Sequence, residues 1–225
     1  MKKLVSLSML LVMSFCLYAQ HQDVTRFLGI PVDGSKKDMI QKLKAKGFES
    51  TSDPDILEGE FNGTEVIISV VTNNNKVWRI VVSDQNNKNA GDIKIRFNRL
   101  CQQFENNSKY MSFIGDQTIP EDEDISYQMT VYNKRYEAAF YQVPIITDSV
   151  SYTTELSKFY FNNYGVTPDA DTLSSSEQRT ERIMSTTFSI MQQKSVWFMI
   201  NQLYGKFYIT MFYDNEYNHA NGEDL

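Results

Sequence analysis

Histidine, the residue that enzymes use most often as a general base and as a metal ligand, is scarce in this chain of 225 residues. Its two copies are His21, close to the N-terminus, and His219, in an acidic tail. The motifs of nucleophilic hydrolases and phosphate-binding enzymes, G-x-S-x-G and G-x-x-x-x-G-K-[ST], are both missing. We therefore predict a protein that is not an enzyme and that holds no cofactor and no catalytic metal.

Two carboxylates alone can still hydrolyse a glycosidic bond, provided that they face each other at a set distance. The candidate pairs are Glu58 with Glu60, and Glu137 with Asp214. Glu58 and Glu60 stand two residues apart in an alternating segment, which is also typical of the solvent-facing side of a strand. A carboxylate-based hydrolase that acts on glycan is therefore the alternative to a non-catalytic protein.

Acidic side chains also gather in two segments that offer hard oxygen ligands for calcium, residues 121–124 and the tail 214–224. Neither segment has the D-x-[DN]-x-[DN]-G spacing that wraps one ion. Solvated acidic loops are the simpler interpretation, and a weak cation site is the other.

The first residues of the chain are typical of a secretory signal peptide. Lys2 and Lys3 precede an apolar run over residues 4–15, which is shorter than the ~20 residues of a membrane-spanning helix. We predict cleavage after Ala19, export to the periplasm or beyond the cell, and no membrane insertion after cleavage. Because residues 1–19 contain two lysines and no acid, cleavage changes the formal charge from −6 to −8. So acidic a protein is a poor ligand for nucleic acid or anionic lipid.

Cysteine occurs twice, and only one copy falls in the predicted mature protein. Cys16 follows Phe15, whereas a lipid-attachment cysteine would follow a small residue. Cys101 lies on the apolar side of a predicted helix, so we expect a buried, unreactive thiol and no intramolecular disulfide.

The segment 27–48 contains a turn, a helix start at Ser35 and a helix end at Gly47. Five lysines lie on the polar side of this predicted helix, and four of them are our candidate binding residues. A docking surface for an acidic partner is one interpretation, and an ordinary solvated helix face is the other. The candidate binding residues are Lys36, Lys37, Lys42 and Lys46, and the fifth lysine is Lys44.

In the first half of the chain, the elements that would position these side chains are a meander of three strands and a helix. Asn62-Gly63 separates two strand-like runs and is a strong hairpin signal, and a second turn at 73–76 leads into the third strand. Apolar residues at spacings of three and four over 90–104 then predict an amphipathic helix. The predicted meander covers residues 56–83.

The second half contains further strand-like runs. We predict strands over 125–132, 135–143, 186–192, 196–202 and 207–214, a short helix within 154–161 and a polar loop over 166–181. Together these elements predict an α+β fold, with about eight strands in an antiparallel meander sheet and two or three helices on one face. We predict one domain over 20–225, and the polar break at 106–124 leaves two alternatives, an undivided domain or two lobes at 20–115 and 116–225.

Aromatic residues make up 13% of the chain and bunch in residues 158–165 and 207–214. Alternation within strands favours burial on both faces of the sheet, and a platform for a sugar or a protein is the other interpretation. The tripeptides Asp148-Ser149-Val150 and Asp171-Thr172-Leu173 look like the O-glycosylation acceptors of some exported bacterial proteins. Ser149 and Thr172 are therefore candidate modification sites.

The phrase F-x-G-I-P-x-D-G-S at 27–35, with Lys-Gly-Phe after the helix and L-x-G-x-F-x-G after that, resembles the opening of a group of secreted uncharacterised proteins of gut bacteria. The closing run YDNEYNHANGEDL is similar to the ending of the same group. The order of helix and meander is more distantly similar to the beta-lactamase inhibitor protein and to lipoproteins that assist outer-membrane assembly. These resemblances imply helices on an antiparallel sheet and action by binding other proteins, and they carry no catalytic residue.

Together these observations predict an exported, non-catalytic binding or interaction protein. Its partner would be a protein or a glycan, and inhibition or chaperoning of an exported enzyme is a special case of the same function. An aromatic or lysine-lined shallow surface would favour binding, whereas converging acids in a deep cleft would favour the hydrolase.

Overall fold

The computed structural model describes residues 22–144 and 149–220. The predicted signal peptide and its cleavage point lie outside the described residues. Within them, no helix combines the length and the apolar character that crossing a membrane requires.

Five α-helices and ten strands make up the described chain, with a short 3₁₀ helix at Glu216–Asn218. The helices are α1 (Lys36–Lys44), α2 (Ala90–Glu105), α3 (Ile125–Tyr132), α4 (Ser149–Tyr164) and α5 (Ser176–Gln192). The strands are β1 (Arg26–Phe27), β2 (Ile30–Pro31), β3 (Glu49–Ser50), β4 (Ile56–Phe61), β5 (Thr64–Asn73), β6 (Lys76–Asp84), β7 (Tyr110–Met111), β8 (Glu137–Gln142), β9 (Ser195–Leu203) and β10 (Lys206–Asp214).

Eight of the strands form one antiparallel sheet in the order β3-β4-β5-β6-β10-β9-β8-β7, and β1 pairs with β2. The sheet is open, since β3 and β7 are its edges. The predicted α+β class and eight-stranded antiparallel sheet are therefore confirmed. Strands from both predicted lobes share this sheet, and the division near residue 115 stays a prediction.

Helices α1 and α2 cover one face of the sheet and create the main core. Ser35 caps α1 by accepting a hydrogen bond from the Asp38 backbone amide at 3.2 Å, and Asn89 caps α2 in the same way. Helix α1 buries Met39 and Leu43 against β5 and β6. Helix α2 packs its own buried side chains against β9 and β10: Ile93, Phe97, Leu100, Cys101 and Phe104.

The meander of the first half forms as predicted. Asn62 and Gly63 have φ angles of 51° and 70°, which is the left-handed conformation that a tight hairpin needs. The turn before β6 uses Asn74 and Asn75 in the same region of φ. A register shift between Val71 and Thr72 then leaves Trp78 without a partner on β5.

Two of the predicted strands are helices. Residues 125–132 form α3, because Asp124 caps its start by accepting from the Tyr127 amide at 3.0 Å. Asn133, which lies between the predicted strands over 125–132 and 135–143, ends the helix with a φ of 51°. Ile125 and Met129, one helical turn apart, contact the core, which explains why the segment packs as a helix.

Residues 186–192 are the last turns of α5 rather than a strand. A capping box between Ser175 and Gln178 starts this helix inside the segment predicted as a polar loop. The short helix predicted within 154–161 is the middle of the longer α4. The described chain thus has five helices rather than two or three, and the sheet reaches eight strands through the two-residue strands β3 and β7.

Helices α4 and α5 pack on each other beside β8 rather than over the main core. Phe188 of α5 contacts Tyr141, whose neighbour Phe140 faces the core on the other side of β8. The pair has its own small set of buried side chains, Tyr160, Thr186, Ile190 and Met191.

An N-terminal strap, residues 23–32, fastens the ends of three strands. Backbone groups of Arg26 exchange two hydrogen bonds with the Gln142 side chain, at 2.8 and 2.7 Å. Lys194, whose side chain is 2% exposed, donates to the Asp23 carboxylate at 2.7 Å. Thr25 donates to the backbone oxygen of Asp214, so the strap contacts chain segments far away in sequence.

Candidate functional site

Within residues 22–144 and 149–220, no helix packs across the centre of the sheet face opposite α1 and α2, and most side chains of this face are partly exposed. This corrects the expectation that both faces are covered. Strand register places the residues of this surface, hereafter the open face, side by side. Its central residues are Ile67, Ser69, Val81, Ser83, Thr210, Phe212, Trp197, Met199, Asn201 and Ala139.

A buried ion pair organises one end of the open face. Arg79 donates two hydrogen bonds to the Asp214 carboxylate, from Nε at 2.6 Å and from Nη2 at 2.7 Å. Trp197 Nε1 donates a third at 2.9 Å. The Asp214 side chain is 2% exposed and that of Arg79 is 22% exposed. Both carboxylate oxygens are therefore occupied, and the group fixes three strands relative to one another.

The aromatic rings beside this pair are stacked on one another. Trp197 and Phe212 have ring centroids 4.0 Å apart and planes tilted by 18°. The Arg79 guanidinium carbon lies 4.9 Å from the Phe212 centroid and 4.2 Å from the Trp78 centroid. The His219 ring packs on Trp78 at 4.5 Å. The faces of these rings are thus largely used within the protein.

The apolar surface continues past β8 to the sheet margin. Tyr141 contacts Phe113 with ring centroids 5.4 Å apart, and Phe113 meets Phe188 of α5 at 4.4 Å. Phe113 is 48% exposed and Ile114 is 57% exposed. Exposed apolar residues at a sheet margin, with rings held rigidly by their neighbours, are typical of a surface that receives a partner.

A cleft of about 440 Å³ opens between α5 and the end of the open face. Its lining is mainly polar and comes from four parts of the chain: Tyr141, Gln192, Gln193, Ser195, Glu216, His219 and Ala220. The Glu216 backbone amide donates to the Gln193 oxygen at 3.1 Å, which holds the 3₁₀ helix against the end of α5.

Glu216 is a titratable residue of this cleft, and its pKa is shifted. Burial, and next the nearby charge of Asp214, raise the pKa of the Glu216 carboxyl above its ordinary value. His219 Nδ1 lies 3.3 Å from the Glu216 carboxylate and opposes this shift when it is charged. A single carboxyl of raised pKa can donate a proton, but the neighbouring Asp214 is already bound by Arg79 and Trp197.

The two carboxylate pairs singled out from sequence are placed differently. Glu137 pairs with Met199, which pairs with Thr210, four residues before Asp214. Strand geometry therefore separates the Glu137 and Asp214 backbones by about 17 Å. The Asp214 carboxylate is also bound by Arg79 and Trp197, so it is not free to act with Glu137. Glu58 and Glu60 lie on the open-face side of β4, as an alternating strand predicts.

The described residues contain no group of three or more His, Cys, Asp or Glu side chains placed to hold a metal ion. Within the acidic segment 121–124, Asp124 caps α3, and Glu123 binds Lys134 and Tyr136. These contacts explain part of the acidic segment without a bound cation.

The four candidate lysines lie on the side of the molecule away from the open face. Lys36 forms an ion pair with Asp55 at 2.6 Å, and Lys37, Lys42 and Lys46 are exposed. Helix α1 packs its apolar side on the core face of the sheet, so its lysines point to solvent. Their role as a docking surface stays a prediction.

The two candidate modification sites differ in what the structure describes. Ser149 begins α4, and its side chain lies outside the described residues. Thr172 is exposed and is followed by Leu173, which is 96% exposed. Asp171 is buried, and hydrogen bonds, first of all from Tyr160, hold the pKa of its carboxyl at about 2.

Cys101 matches its prediction as a buried thiol. It is free and buried, and its sulfur donates to the Gln117 backbone oxygen at 3.7 Å. Burial raises the pKa of the thiol to about 12, so the reactive thiolate is disfavoured at neutral pH.

Sequence reasoning missed the group formed by Arg79, Trp197 and Asp214. Its signal was present in the alternation Arg79-Val81-Ser83, where polar and apolar side chains share one face of a central strand. The same mixture recurs on β10, in Thr210, Phe212 and Asp214. A fully buried strand would be apolar on both faces, so this mixture indicates an uncovered face.

Comparison of the chain with protein-family models, with curated proteins and with solved structures finds no match. The resemblance to secreted proteins of gut bacteria and to helix-on-sheet inhibitors stays a prediction. The functional argument therefore rests on the geometry of the open face and its cleft.

Proposed function

We propose that this protein is an exported, non-catalytic binding protein and that the open face of its sheet receives the partner. The observation that carries the proposal is the partly exposed strip of Val81, Phe212, Trp197 and Met199 at the centre of an otherwise well-packed sheet. An apolar patch that is rimmed by polar residues is typical of a protein interaction site. Export is inferred from the N-terminal sequence.

The chemistry of the strip favours a polypeptide over a glycan. A sugar stacks on an aromatic ring whose face is free. Here Trp197 stacks on Phe212, and Trp78 lies between Arg79 and His219. Because the faces of these rings are covered within the protein, their edges and their apolar neighbours remain exposed. Such a surface suits packing against side chains of another protein.

The edges of the sheet are less suited to receiving a partner strand. The edge strands β3 and β7 have only two residues each, so a peptide added there gains few backbone hydrogen bonds. The open face spans the long strands β5, β6, β9 and β10 and provides a larger area.

The hydrolase alternative has weaker support. Hydrolysis of a glycosidic bond needs two free carboxyl groups on either side of the bond. Glu216 lines the cleft, but both oxygens of the neighbouring Asp214 accept hydrogen bonds from Arg79 and Trp197. A binding role for the same surface needs no such pair.

The test uses the mature protein, residues 20–225, on a random peptide library displayed on phage and on a glycan array. Both tryptophans of the chain, Trp78 and Trp197, lie at the open face, so intrinsic fluorescence reports binding there. The test variant is Met199→Arg, which places a bulky charge at the centre of the face. Ile95→Arg is the matched control, because Ile95 is 60% exposed on α2, on the opposite side of the sheet.

We expect selected peptides to change the tryptophan fluorescence of the wild type and of Ile95→Arg, and to lose binding to Met199→Arg. Selection of glycans alone, or peptide binding that survives Met199→Arg, would contradict the proposal. Hydrolysis of an array glycan that is lost in Glu216→Gln would support the hydrolase instead.

A further inference from the structure

The margin of the open face formed by β3, β4 and β5 is acidic. Register places Glu49 directly opposite Glu58, and Glu60 directly opposite Glu65, all on the side of the open face. Directly opposed residues have Cβ atoms about 5 Å apart, and like charges at that position destabilise a sheet. The free protein therefore holds two repulsive pairs beside its apolar strip.

No cation of the described chain compensates these charges. Glu65 accepts a hydrogen bond from Asn86 at 2.9 Å, and Glu58 lies 3.4 Å from the Gln85 amide, but both of these neighbours are neutral. In residues 22–144 and 149–220, no lysine or arginine lies within ion-pairing distance of the four glutamates. Lys206 begins β10, which β6 separates from β5.

The apolar strip and the acidic margin are adjacent on one surface. Ile67 of β5 pairs with Glu58 on one side and with Ser83 on the other, and the row continues through Thr210 and Met199 to Glu137 of β8. The neighbouring row contains Val81, Phe212 and Trp197. A partner lying across the two rows would meet apolar side chains in the second row and negative charge at both ends of the first. Charge complementarity then requires positive charge on the partner.

We infer that the partner of the open face is a cationic, amphipathic polypeptide segment. Its apolar side chains pack on Val81, Phe212 and Met199, and its lysines or arginines pair with Glu58, Glu60 and Glu65. This inference rests on the proposed function, because it takes the open face as the binding surface. It adds the charge of the partner.

Three synthetic peptides test the inference, each with leucine at alternate positions and with lysine, glutamine or glutamate at all the others. Binding is followed by tryptophan fluorescence of the mature protein at low and at high salt. We expect the lysine peptide to bind at least about tenfold more tightly than the glutamine peptide at low salt, and the glutamate peptide to bind most weakly. The preference should shrink at high salt, because salt screens exposed charges.

The decisive variant is Glu58→Gln, Glu60→Gln, Glu65→Gln, which should weaken binding of the lysine peptide by about tenfold. The control variant is Glu121→Gln, Glu177→Gln, Glu181→Gln, which changes the net charge equally at exposed acids away from the open face. The control should bind as the wild type does. Equal loss in the two variants, or none in either, would overturn the inference.

Met199→Arg separates the two proposals. If it abolishes binding while the lysine and glutamine peptides bind the wild type equally well, the open face stands and the preference for a cationic partner is overturned. If none of the peptides binds, or if Met199→Arg leaves binding of the lysine peptide unchanged, the open face itself is the wrong surface.

Discussion

The two faces of strand β10 have different compositions and different neighbours. On the core face, Phe207, Ile209, Met211 and Tyr213 are buried against α2 and the other core side chains. On the open face, Tyr208, Thr210, Phe212 and Asp214 alternate polar and aromatic groups. The polar groups there bond sideways to neighbouring strands: Asn201 donates to Thr210 at 2.9 Å, and Arg79 donates to Asp214.

The two faces therefore contribute differently to the stability of the fold. Burial of apolar area on the core face stabilises the fold by roughly 25 cal/mol for each Å² removed from water. The open face leaves apolar area in water and adds repulsive glutamate pairs, so it contributes less to stability than a covered face would. Contact with the proposed partner would account for these residues.

The largest expected effect comes from removing a ring from the core face. Phe198→Ala should lower the free energy of unfolding by about 3–5 kcal/mol, because Phe198 is fully buried against Phe97 and Phe104. Phe212→Ala, on the open face, should lower it by only about 1–2 kcal/mol. Urea unfolding of both variants measures the contrast, and equal losses would show that the open face is covered in solution.

The second effect concerns the ion pair of the open face. Asp214→Asn should lower the free energy of unfolding by about 2–3 kcal/mol, because it leaves the Arg79 guanidinium partly buried without a counter-charge. Lys36→Gln is the control, since the exposed pair with Asp55 contributes about 0.5 kcal/mol. If Asp214→Asn costs no more than the control, the pair does not organise the end of the sheet.

A smaller effect of opposite sign is expected at the acidic margin. Glu60→Gln should raise the free energy of unfolding by roughly 0.2–1 kcal/mol, because it removes the repulsion with Glu65 directly across the ladder. Thermal unfolding at low salt should show a higher Tm for Glu60→Gln than for Glu121→Gln, a change at an exposed acid outside the helices and the sheet. An unchanged or lower Tm would mean that the opposed glutamates do not repel each other.

The smallest effect concerns the cleft and depends on pH. The folded protein holds the pKa of Glu216 above its unfolded value, so ionising Glu216 weakens folding once the pH exceeds about 4.3. Glu216→Gln should therefore be slightly more stable than the wild type near neutral pH, and this gain should vanish below about pH 4. The measurement compares the urea unfolding midpoints of Glu216→Gln and the wild type near neutral pH and below about pH 4. A gain in stability that does not depend on pH would indicate a packing effect rather than an effect of charge.

The parts of the fold that local signals specify could be predicted from the sequence. The Asn62-Gly63 hairpin, the Ser35 cap of α1 and the apolar face of α2 each depend on residues only a few positions apart. The strands over 196–202 and 207–214 were also recognisable, because alternation within them is regular. These elements carry most of the core, and the α+β class follows from them.

The predicted strands over 125–132 and 186–192 failed for a common reason. Both contain the β-branched and aromatic residues that favour strands, and both are short when taken alone. The start of each helix decides its helical state: Asp124 caps one segment, and the capping box of the other begins at Ser175, eleven residues before residue 186. Tertiary packing then overrides the local preference, as Met129 against the core illustrates.

The candidate site was the least accessible to sequence reasoning. Arg79 and Asp214 are 135 residues apart and meet only because β6 pairs with β10 in one register. A shift of one residue would turn Asp214 toward the core and separate it from Arg79. The acidic margin has the same origin, since Glu60 and Glu65 become opposed through the hairpin register.

The N-terminal strap has a consequence for the order in which the chain folds. Its hydrogen bonds join Arg26 to Gln142 across 116 residues, and Thr25 to Asp214 across 189. Closing loops of that length is slow, and the strap has its full set of partners only when the last strand has been made. The strap, although synthesised early, is thus among the last segments to find its place, and until then the ends of β8, β9 and β10 stay accessible to chaperones and proteases.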